Sequence, residues 1–148
     1  MLIVVRIGAQ RFAISAESVE RMLRMAALTP APDLPLGVAG VMNLRGRTVP
    51  VIDPRPRIGQ LPVAPDPAQA LLVTRGEAPF LVWVDGVEGT LDAGPSELEP
   101  VSIDGNRVPL IPALVRRPDG VLPLLSLEAL DPGALIGGAH QRVEALAK

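Results

Sequence analysis

Residues 40–53 read GVMNLRGRTVPVID, and the dipeptide Arg45-Gly46 divides this stretch into two apolar runs. Two runs of aliphatic and β-branched residues on either side of a short turn are typical of a β-hairpin. The turn needs a residue that tolerates a positive φ angle, and Gly46 supplies it. The turn does not require an arginine, so Arg45 is the exposed functional group at the tip of the predicted hairpin.

The composition favours a small protein built mainly of short strands. Hydrophobic residues make up 48% of the 148 residues but aromatic residues only 2%, so the core must consist of Val, Leu, Ile and Ala. The 14 glycines and 17 prolines interrupt the chain often, while its aliphatic content is too high for disorder. One domain, or two small subdomains that share a core, fits this length.

Charge and residue usage exclude several classes of function. The net charge of −2 offers no basic face for phosphates, so we expect no nucleic-acid partner. No apolar run reaches the length of a membrane span, so we expect no direct membrane insertion. The chain has no cysteine, which removes disulfides and thiolate chemistry and is compatible with a reducing cytoplasm.

The same periodicities predict further elements along the chain. Ser15 is placed to cap one helical turn over residues 15–21, with Glu17 in its first turn. The prolines between positions 54 and 67 predict a stiff, extended linker, and residues 139–147 predict a short amphipathic helix at the end of the chain. Paired strands are predicted at residues 2–7 and 11–14, at 70–74 and 80–84, and at 110–115 and 121–125.

Two correspondences suggest an internal duplication. Phe12 is followed by Glu17-Ser18-Val19-Glu20, and Phe80 is followed at the same spacing by Asp85-Gly86-Val87-Glu88. The run VPVID at 49–53 also matches LPLLS at 122–126, with proline at the same place in each. A proline inside a strand belongs at an edge or a bulge. Its shared placement predicts two similar small sheets or barrels, and chance similarity is the alternative.

Residues that could perform catalysis are few. The single histidine, His140, has neither cysteines nor clustered carboxylates at ligand spacing, so no metal site is predicted. No phosphate-binding glycine loop and no nucleophile elbow occur, so we predict no cofactor and no catalytic residue. Asp53 and Asp85 each follow an apolar strand. Capping of nearby backbone is the favoured interpretation, and paired acid–base catalysis is the alternative.

Arginines cluster around the predicted hairpin tip. Arg47 lies two residues after Arg45, and Arg55 and Arg57 follow the returning strand. An arginine whose stem lies on apolar surface while its guanidinium faces outward is a favoured interface anchor. Trp83, the only tryptophan, is predicted in the core, with an outward-facing second anchor as the alternative. The pattern points to binding rather than catalysis.

Residues 40–53 closely resemble the signature of the CheW-like family, the adaptors of bacterial chemosensory arrays. Residues 80–89 and 119–130 resemble the family's second-half strand and its closing strand with a short helix, so the resemblance covers about residues 2–130. It implies a mainly β fold of two intertwined five-stranded SH3-like barrels. We therefore expect a single domain over residues 1–135, with halves at about 8–60 and 68–130, the first strand belonging to one half or shared, and a C-terminal helix or tail at 136–148.

The resemblance also implies a function. Members of the family have no catalytic activity, and they couple chemoreceptors to a CheA-type histidine kinase in the cytoplasm, where they are recruited to membrane receptor arrays. They bind the receptor's cytoplasmic tip in a groove between the subdomains and the kinase regulatory domain through the end of a barrel. By position, Arg45 with Asn43 and Gly46 matches the family's contact region at the signature turn. Residues that match the receptor groove are Val19, Val87 and Thr90.

The sequence departs from the family pattern at two places. Arg21 stands where the family commonly carries an acid, which sits at Glu20 instead, and a reversed charge at an interface redirects partner choice. Pro54 replaces the usual leucine and Pro56 follows it, so the short helix expected there should be stiffened or broken. Arg21 is therefore a further partner-contact candidate. A diverged scaffold for another chemosensory-type pathway, such as pilus or gliding motility or another kinase assembly, is the alternative function.

Overall fold

A computed structural model describes residues 1–24, 28–30, 37–61, 69–74, 78–101 and 109–132. The predicted C-terminal helix at 139–147, His140 and the linker residues 62–68 lie outside these ranges. The predicted division into halves and the tail at 136–148 therefore stay predictions.

Short strands make up most of the described chain. The predicted hairpins are confirmed, with bounds that differ by a few residues. Three short strands, Val19–Arg24, Gly86–Leu91 and Leu98–Pro100, were not predicted separately. The strands are β1 Leu2–Ile7, β2 Gln10–Ser15, β3 Val19–Arg24, β4 Val38–Leu44, β5 Arg47–Ile52, β6 Gln69–Val73, β7 Phe80–Val84, β8 Gly86–Leu91, β9 Leu98–Pro100, β10 Ala113–Arg117 and β11 Gly120–Leu124. One short helix, α1, follows at Leu127–Leu130, and single 3-10 turns occur at Ala16–Ser18, Arg55–Ile58 and Pro95–Glu97.

Two local predictions need correction. The helical turn after β2 covers only Ala16–Ser18, and the Ser15 side chain does not cap it, because the chain becomes extended again at Val19 to enter β3. Pro54 and Pro56 do not prevent a helical turn at Arg55–Ile58. Proline lacks only a donor that the first turn of a helix leaves unpaired anyway, so it is tolerated there.

The strands form two sheets, so the predicted mainly β fold class is confirmed. The first sheet has the order β8-β1-β2-β11-β10-β9 and the second the order β3-β6-β7-β5-β4. Each sheet thus combines strands from before and after the proline-rich stretch that follows β5. The first sheet has six strands and the second five, the sixth being the three-residue strand β9.

The two sheets are equivalent in register, which supports the internal duplication. Val5 lies opposite Phe12 in the first sheet, and Val73 lies opposite Phe80 in the second, at one constant spacing along the chain. The parallel contacts are also equivalent, because Leu124 pairs with Ala13 and Val51 pairs with Leu81. Even the bulges match, since Glu88 is the extra residue between β1 and β8 and Glu20 is the extra residue between β3 and β6.

The strand order shows how the two sheets are connected. After β2 the chain leaves the first sheet through Ala16–Ser18 and places β3 at the edge of the second sheet. After β7 it leaves the second sheet through Asp85 and places β8 at the edge of the first. Each sheet therefore has at one edge a strand that directly follows a hairpin of the other sheet. Strand β3 follows the β1–β2 hairpin, and β8 follows the β6–β7 hairpin.

Two hydrophobic clusters hold the sheets. The larger cluster takes residues from both sheets, among them Val5, Phe12 and Phe80, and it joins the sheets through one core. The smaller cluster belongs to the second sheet and includes Trp83, which is 4% exposed. Trp83 is therefore a core residue, as predicted, and the alternative of an outward-facing anchor is wrong.

Candidate functional site

The tip of the β4–β5 hairpin has an unusual backbone. Both central residues have positive φ angles, 53° at Arg45 and 81° at Gly46, as a type I′ turn requires. The Gly46 N–H donates a hydrogen bond of 2.8 Å to Asn43 Oδ1, which closes the turn with a side chain. The turn therefore requires a left-handed conformation of Arg45 as well as of Gly46, which the sequence interpretation had assigned to Gly46 alone.

Arg45 is an unfavourable residue for its position. The left-handed conformation costs a residue with a Cβ atom about 1–2 kcal/mol, and glycine or asparagine usually fills it. Among the described residues with positive φ, Arg45 is the only one that is not glycine. Its side chain is exposed and makes no hydrogen bond or ion pair with any residue in the described ranges. Arg45 therefore does not stabilise its own turn through a side-chain hydrogen bond or ion pair within the described ranges.

A groove of about 320 Å³ opens beside this turn at the end of the second sheet. We call it the second-sheet groove, and its walls are mainly apolar. Arg21 pairs with Leu72 across β3 and β6, so its side chain lies on the face of the sheet that carries this groove. The Arg21 Nε atom is buried without a hydrogen-bond partner in the described part of the chain. The groove is lined by Glu20, Leu44, Arg47, Val49, Leu72, Thr74, Ala78 and Pro79.

An equivalent groove of about 680 Å³ lies at the corresponding end of the first sheet and is strongly charged. Arg11 Nε lies 2.7 Å from Glu88 Oε2, and Arg117 Nη1 lies 2.9 Å from Glu97 Oε2. We call it the first-sheet groove. Its lining includes Val4, Arg6, Arg11, Glu88, Leu91, Arg117, Asp119, Val121 and Leu122.

The predicted receptor-groove residues lie on a different surface. Cross-strand partners point to the same face of a sheet, and the partners of Val19 and Val87 are Val73 and Val5, both in the core shared by the sheets. Thr90 pairs with Ile3, which packs against that core. Val19, Val87 and Thr90 therefore lie where the facing sides of the two sheets meet, on the edge strands β3 and β8.

Sequence reasoning missed a fourth residue of this surface, Met22. It pairs with Leu71 of the shared core, it is 48% exposed, and it occupies in β3 the position that Thr90 occupies in β8. The duplication itself was the signal that could have found it. We call the surface formed by Val19, Met22, Val87 and Thr90 the intersheet face.

The seven predicted contact residues thus separate into two sets. Asn43, Arg45 and Gly46 form the hairpin tip beside the second-sheet groove, and Arg21 lies on the same face of the sheet as the groove. The remaining predicted contact residues, Val19, Val87 and Thr90, belong to the intersheet face. The structure does not bring all seven residues to one patch.

Arg55, which follows the returning strand of the hairpin, does not contribute to the exposed tip. Arg55 is fully buried, with Nη1 3.0 Å from Asp53 Oδ1 and Nη2 2.6 Å from Asp85 Oδ1. Its guanidinium carbon also lies 4.6 Å from the centre of the Trp83 ring, a cation–π distance. Arg55 is buried because two carboxylates, one of them 30 positions away, converge on it.

These contacts favour a structural role for both aspartates. Asp53 Oδ1 accepts the Arg55 backbone N–H at 3.0 Å, which is the predicted capping interaction, and it also accepts the Arg55 side chain. Asp85 Oδ2 accepts the backbone N–H of Gly8. Both carboxylates thus accept structural donors, which favours the capping interpretation over paired acid–base catalysis.

Arg57 also makes a structural contact. Its Nη1 donates to the Ala129 carbonyl oxygen in α1, so it connects the turn after β5 to the closing helix. Partial burial lowers the pKa of the Arg57 guanidinium from its ordinary value. Among the described residues there is no group of three or more histidine, cysteine, aspartate or glutamate side chains arranged to hold a metal ion. None of the helices in the described ranges is long and apolar enough to cross a membrane.

The fold and these surfaces define a class of protein: a duplicated, mainly β module with grooves at the ends of two equivalent sheets. The family model of the CheW-like domain matches residues 1–132. The chain therefore belongs to the CheW-like family.

Two named relatives and one solved structure agree with this assignment. The chain is 29% identical over 100 residues to the Chemotaxis protein CheW of Rhizobium meliloti and 31% identical over 100 residues to the Probable chemotaxis protein CheW of Rhizobium etli. Each match covers 67% of this chain and 64% of the relative, so the chain covers less than two thirds of their length. The crystal structure of the scaffolding protein TtCheW from Thermoanaerobacter tengcongensis matches with a TM-score of 0.74 and 19% identity, over 85% of this chain and 88% of that one. This structural likeness supports the fold.

Proposed function

We propose that this chain is a non-catalytic cytoplasmic adaptor that couples chemoreceptors to a CheA-type histidine kinase in chemotaxis signalling. Membership of the CheW-like family supports this function. The single observation that carries the assignment of a contact site is Arg45, an exposed arginine in a left-handed conformation that the turn alone would give to glycine. Strained residues persist where the strain serves a function.

The kinase regulatory domain binds at the hairpin tip and the second-sheet groove. The groove supplies accessible apolar surface from Leu44, Ala78 and Pro79, above the buried side chains of Val49 and Leu72. Arg45 beside it supplies a guanidinium with no partner among the described residues. An apolar patch with an arginine at its border is the arrangement that interface hot spots favour.

The cytoplasmic tip of the chemoreceptor binds at the intersheet face. This tip is a helical coiled coil, and amphipathic helices bind by placing an apolar face in a groove. Val19, Met22 and Val87 provide the apolar surface, and the two edge strands that carry them come from opposite sheets. In this arrangement one chain contacts receptor and kinase on separate surfaces, which is what coupling requires.

Arg45→Gly tests the proposed contact without disturbing the fold. Glycine fits the left-handed position, so the variant should be as stable as the unmutated protein or more stable by about 1 kcal/mol. Its affinity for a purified kinase regulatory domain should fall by at least about tenfold, as for loss of an interface anchor. Thermal unfolding measures the first effect and isothermal titration calorimetry the second.

The control is Arg116→Glu, which changes an exposed arginine on the equivalent hairpin β10–β11. This variant should retain the kinase affinity of the unmutated protein. Equal affinity of Arg45→Gly and the unmutated protein would remove the hairpin tip from the contact.

Arg21 favours a second candidate, a scaffold in another chemosensory-type assembly. Arg21 and Arg47 add two cations to the neighbourhood of the second-sheet groove, so a partner there should present carboxylates. Affinity capture from the native cell separates the candidates. Recovery of a different kinase assembly without a CheA-type kinase would favour the second one, and recovery of a chemoreceptor with a CheA-type kinase would reject it.

A further inference from the structure

Arg55 and its neighbours form a charged cluster that the proposed partner contacts do not use. Its guanidinium bridges Asp53 and Asp85, and its Nε atom is buried without a hydrogen-bond partner in the described ranges. Burying such a cluster is unfavourable unless its geometry is well satisfied, so a core of apolar residues would be the simpler solution. The position of the cluster in the fold suggests what it does.

The cluster lies where the chain passes from the second sheet to the first. Asp53 directly follows β5 of the second sheet, whereas Asp85 is the single residue between β7 and β8. The Asp85 N–H donates to the Arg6 carbonyl at 2.8 Å, and Asp85 Oδ2 accepts the Gly8 N–H in the β1–β2 turn. Arg55 therefore holds a residue that is itself bonded to the first sheet.

Gln60 adds a second connection between the same two regions. It lies just after the Arg55–Ile58 turn, and its Nε2 donates to the Ile7 carbonyl at 2.7 Å and to Gln10 Oε1 at 3.0 Å. We call the set of Asp53, Arg55, Gln60 and Asp85 the Arg55 clamp. It ties the segment after β5 to the hairpin β1–β2 of the other sheet.

Within the described ranges, the equivalent passage from the first sheet to the second has no such clamp. By the register equivalence, Asp85 corresponds to Glu17 and Arg55 to Glu128, and both glutamates are exposed. Asp53 corresponds to Ser126, whose Oγ accepts the Ala129 N–H and caps α1. The duplication thus has a charged, buried connection at one passage and exposed glutamates at the other.

The clamped passage leads directly into β8. Val87 is two residues after Asp85, and its N–H donates to Gln69 Oε1 in β6 at 3.1 Å, which is another bond to the second sheet. Val87 and Thr90 are the β8 residues of the intersheet face. Any shift of Asp85 relative to the second sheet would therefore move one wall of that face.

We infer that Arg55 and Asp85 are positioning residues that hold the β8 wall of the intersheet face at a set distance from the β3 wall, and so determine its fit to a helical partner. This inference rests on the proposed function only for the identity of the partner. The clamp contributes no atom to the face itself. It acts by joining the two sheets with charged contacts, in addition to the hydrophobic core, the strand connections and the Val87–Gln69 bond.

The test measures the face directly and the partner separately. The chain contains no cysteine, so Met22→Cys and Thr90→Cys can be spin-labelled on β3 and β8 without background. Asp85→Asn keeps the size of the side chain but removes its charge and one acceptor. In the labelled protein it should broaden and shift the distance distribution between the two labels. In the unlabelled protein it should weaken binding of a receptor coiled-coil fragment by about tenfold, an ordinary size for coupling between separate sites.

Glu97→Gln is the matched control. It removes a carboxylate from an ion pair with Arg117 at 2.9 Å, but both residues lie at the first sheet. It should leave the label distances and the fragment affinity unchanged. Gln60→Ala is the milder second clamp variant, because Gln60 is half-buried and uncharged, and it should change the distances in the same direction if Asp85→Asn does not fold.

Three results would overturn the inference. An unchanged distance distribution in a folded clamp variant would show that the clamp does not position β8. A changed distribution with unchanged fragment affinity would show that the spacing does not determine the fit. If Glu97→Gln changed the label distances and the fragment affinity equally, loss of any ion pair would be enough to produce the effect. If the unmutated protein does not bind the receptor fragment, the proposed partner is wrong, while the distance measurement still decides the positioning role.

Discussion

The hairpin β4–β5 of the second sheet and the hairpin β10–β11 of the first occupy equivalent places and pair in the same register, but they present different residues. Arg45-Gly46 at one tip corresponds to Pro118-Asp119 at the other. In the grooves beside them, Leu44 corresponds to Arg117, and Pro79 to Arg11. One groove is thus mainly apolar and the other strongly charged.

The two sheets share the features that maintain the fold and differ in residues at their surfaces. The alternation of buried residues and the ladder hydrogen bonds occur in both sheets, and the bulges at Glu20 and Glu88 also coincide. At the hairpin tips and in the grooves, the residues that differ have side chains that face solvent or the sheet ends. A duplicated backbone can therefore carry two distinct binding surfaces, because neither surface contributes to the register.

The largest effect on stability is expected from comparing the two places where the chain passes from one sheet to the other. Arg55→Met should destabilise the protein by about 3–5 kcal/mol, because it leaves the buried Asp53 and the partly exposed Asp85 without the cation that they share. Glu128→Met, at the equivalent position in α1, should change the free energy of unfolding by less than about 0.5 kcal/mol, since Glu128 is exposed. Urea denaturation followed by circular dichroism measures both. Similar losses in the two variants would mean that the passages are energetically alike.

A smaller effect on stability is expected at equivalent positions of β4 and β10, which carry different residues. Gly40 has a φ angle of 154°, and a Cβ atom there would lie 2.4 Å from the Thr29 carbonyl oxygen, which bridges to Val41. The equivalent position on β10 is Ala113. Gly40→Ala should therefore cost about 2 kcal/mol through overpacking and backbone strain.

The control for this edge is Ala113→Gly, which should cost no more than about 1 kcal/mol through added flexibility of the unfolded chain. Thermal unfolding of the two variants gives the comparison. A stable Gly40→Ala variant would indicate that the Thr29 bridge is not formed in solution.

The smallest effect concerns the grooves. Glu88→Gln removes the ion pair with Arg11 in the first-sheet groove, but Arg11 is 62% exposed, so the loss should be below about 1 kcal/mol and should vanish at high salt. The equivalent variant Glu20→Gln breaks no ion pair within the described ranges, so its stability should not depend on salt. Unfolding at low and high sodium chloride concentration measures the difference. A salt-independent loss for Glu88→Gln would mean that the pair is more strongly shielded from solvent than its exposure indicates.

Local sequence signals predicted the hairpins well and the passages poorly. The strands around Arg45-Gly46 and around Gly8 were recognisable because apolar runs and turn residues lie next to each other in the chain. Strand β3 was missed because its residues alternate between half-buried and exposed, and a preceding serine suggested a longer helical turn. The helical turn at Arg55–Ile58 formed despite two prolines, since both lie at its start.

The sequence predicted individual contact residues but not how they group into surfaces. Asn43, Arg45 and Gly46 could be grouped from the sequence because they share one turn. The intersheet face could not, because Val19 and Val87 meet only through a core built from both sheets. Met22 was missed although the duplication pairs it with Thr90, since a methionine on a strand has no local feature that marks it as exposed.

The hairpins and the repeated pattern could be predicted from sequence, because they depend on residues that are neighbours along the chain. The placement of β3 and β8 in opposite sheets, the burial of Arg55 and the two contact surfaces became evident from the fold alone. These outcomes depend on pairs such as Arg55 with Asp85 and β1 with β8, which lie far apart in the sequence. Burial and charge pairing depend on such tertiary contacts, so a local sequence pattern does not encode them.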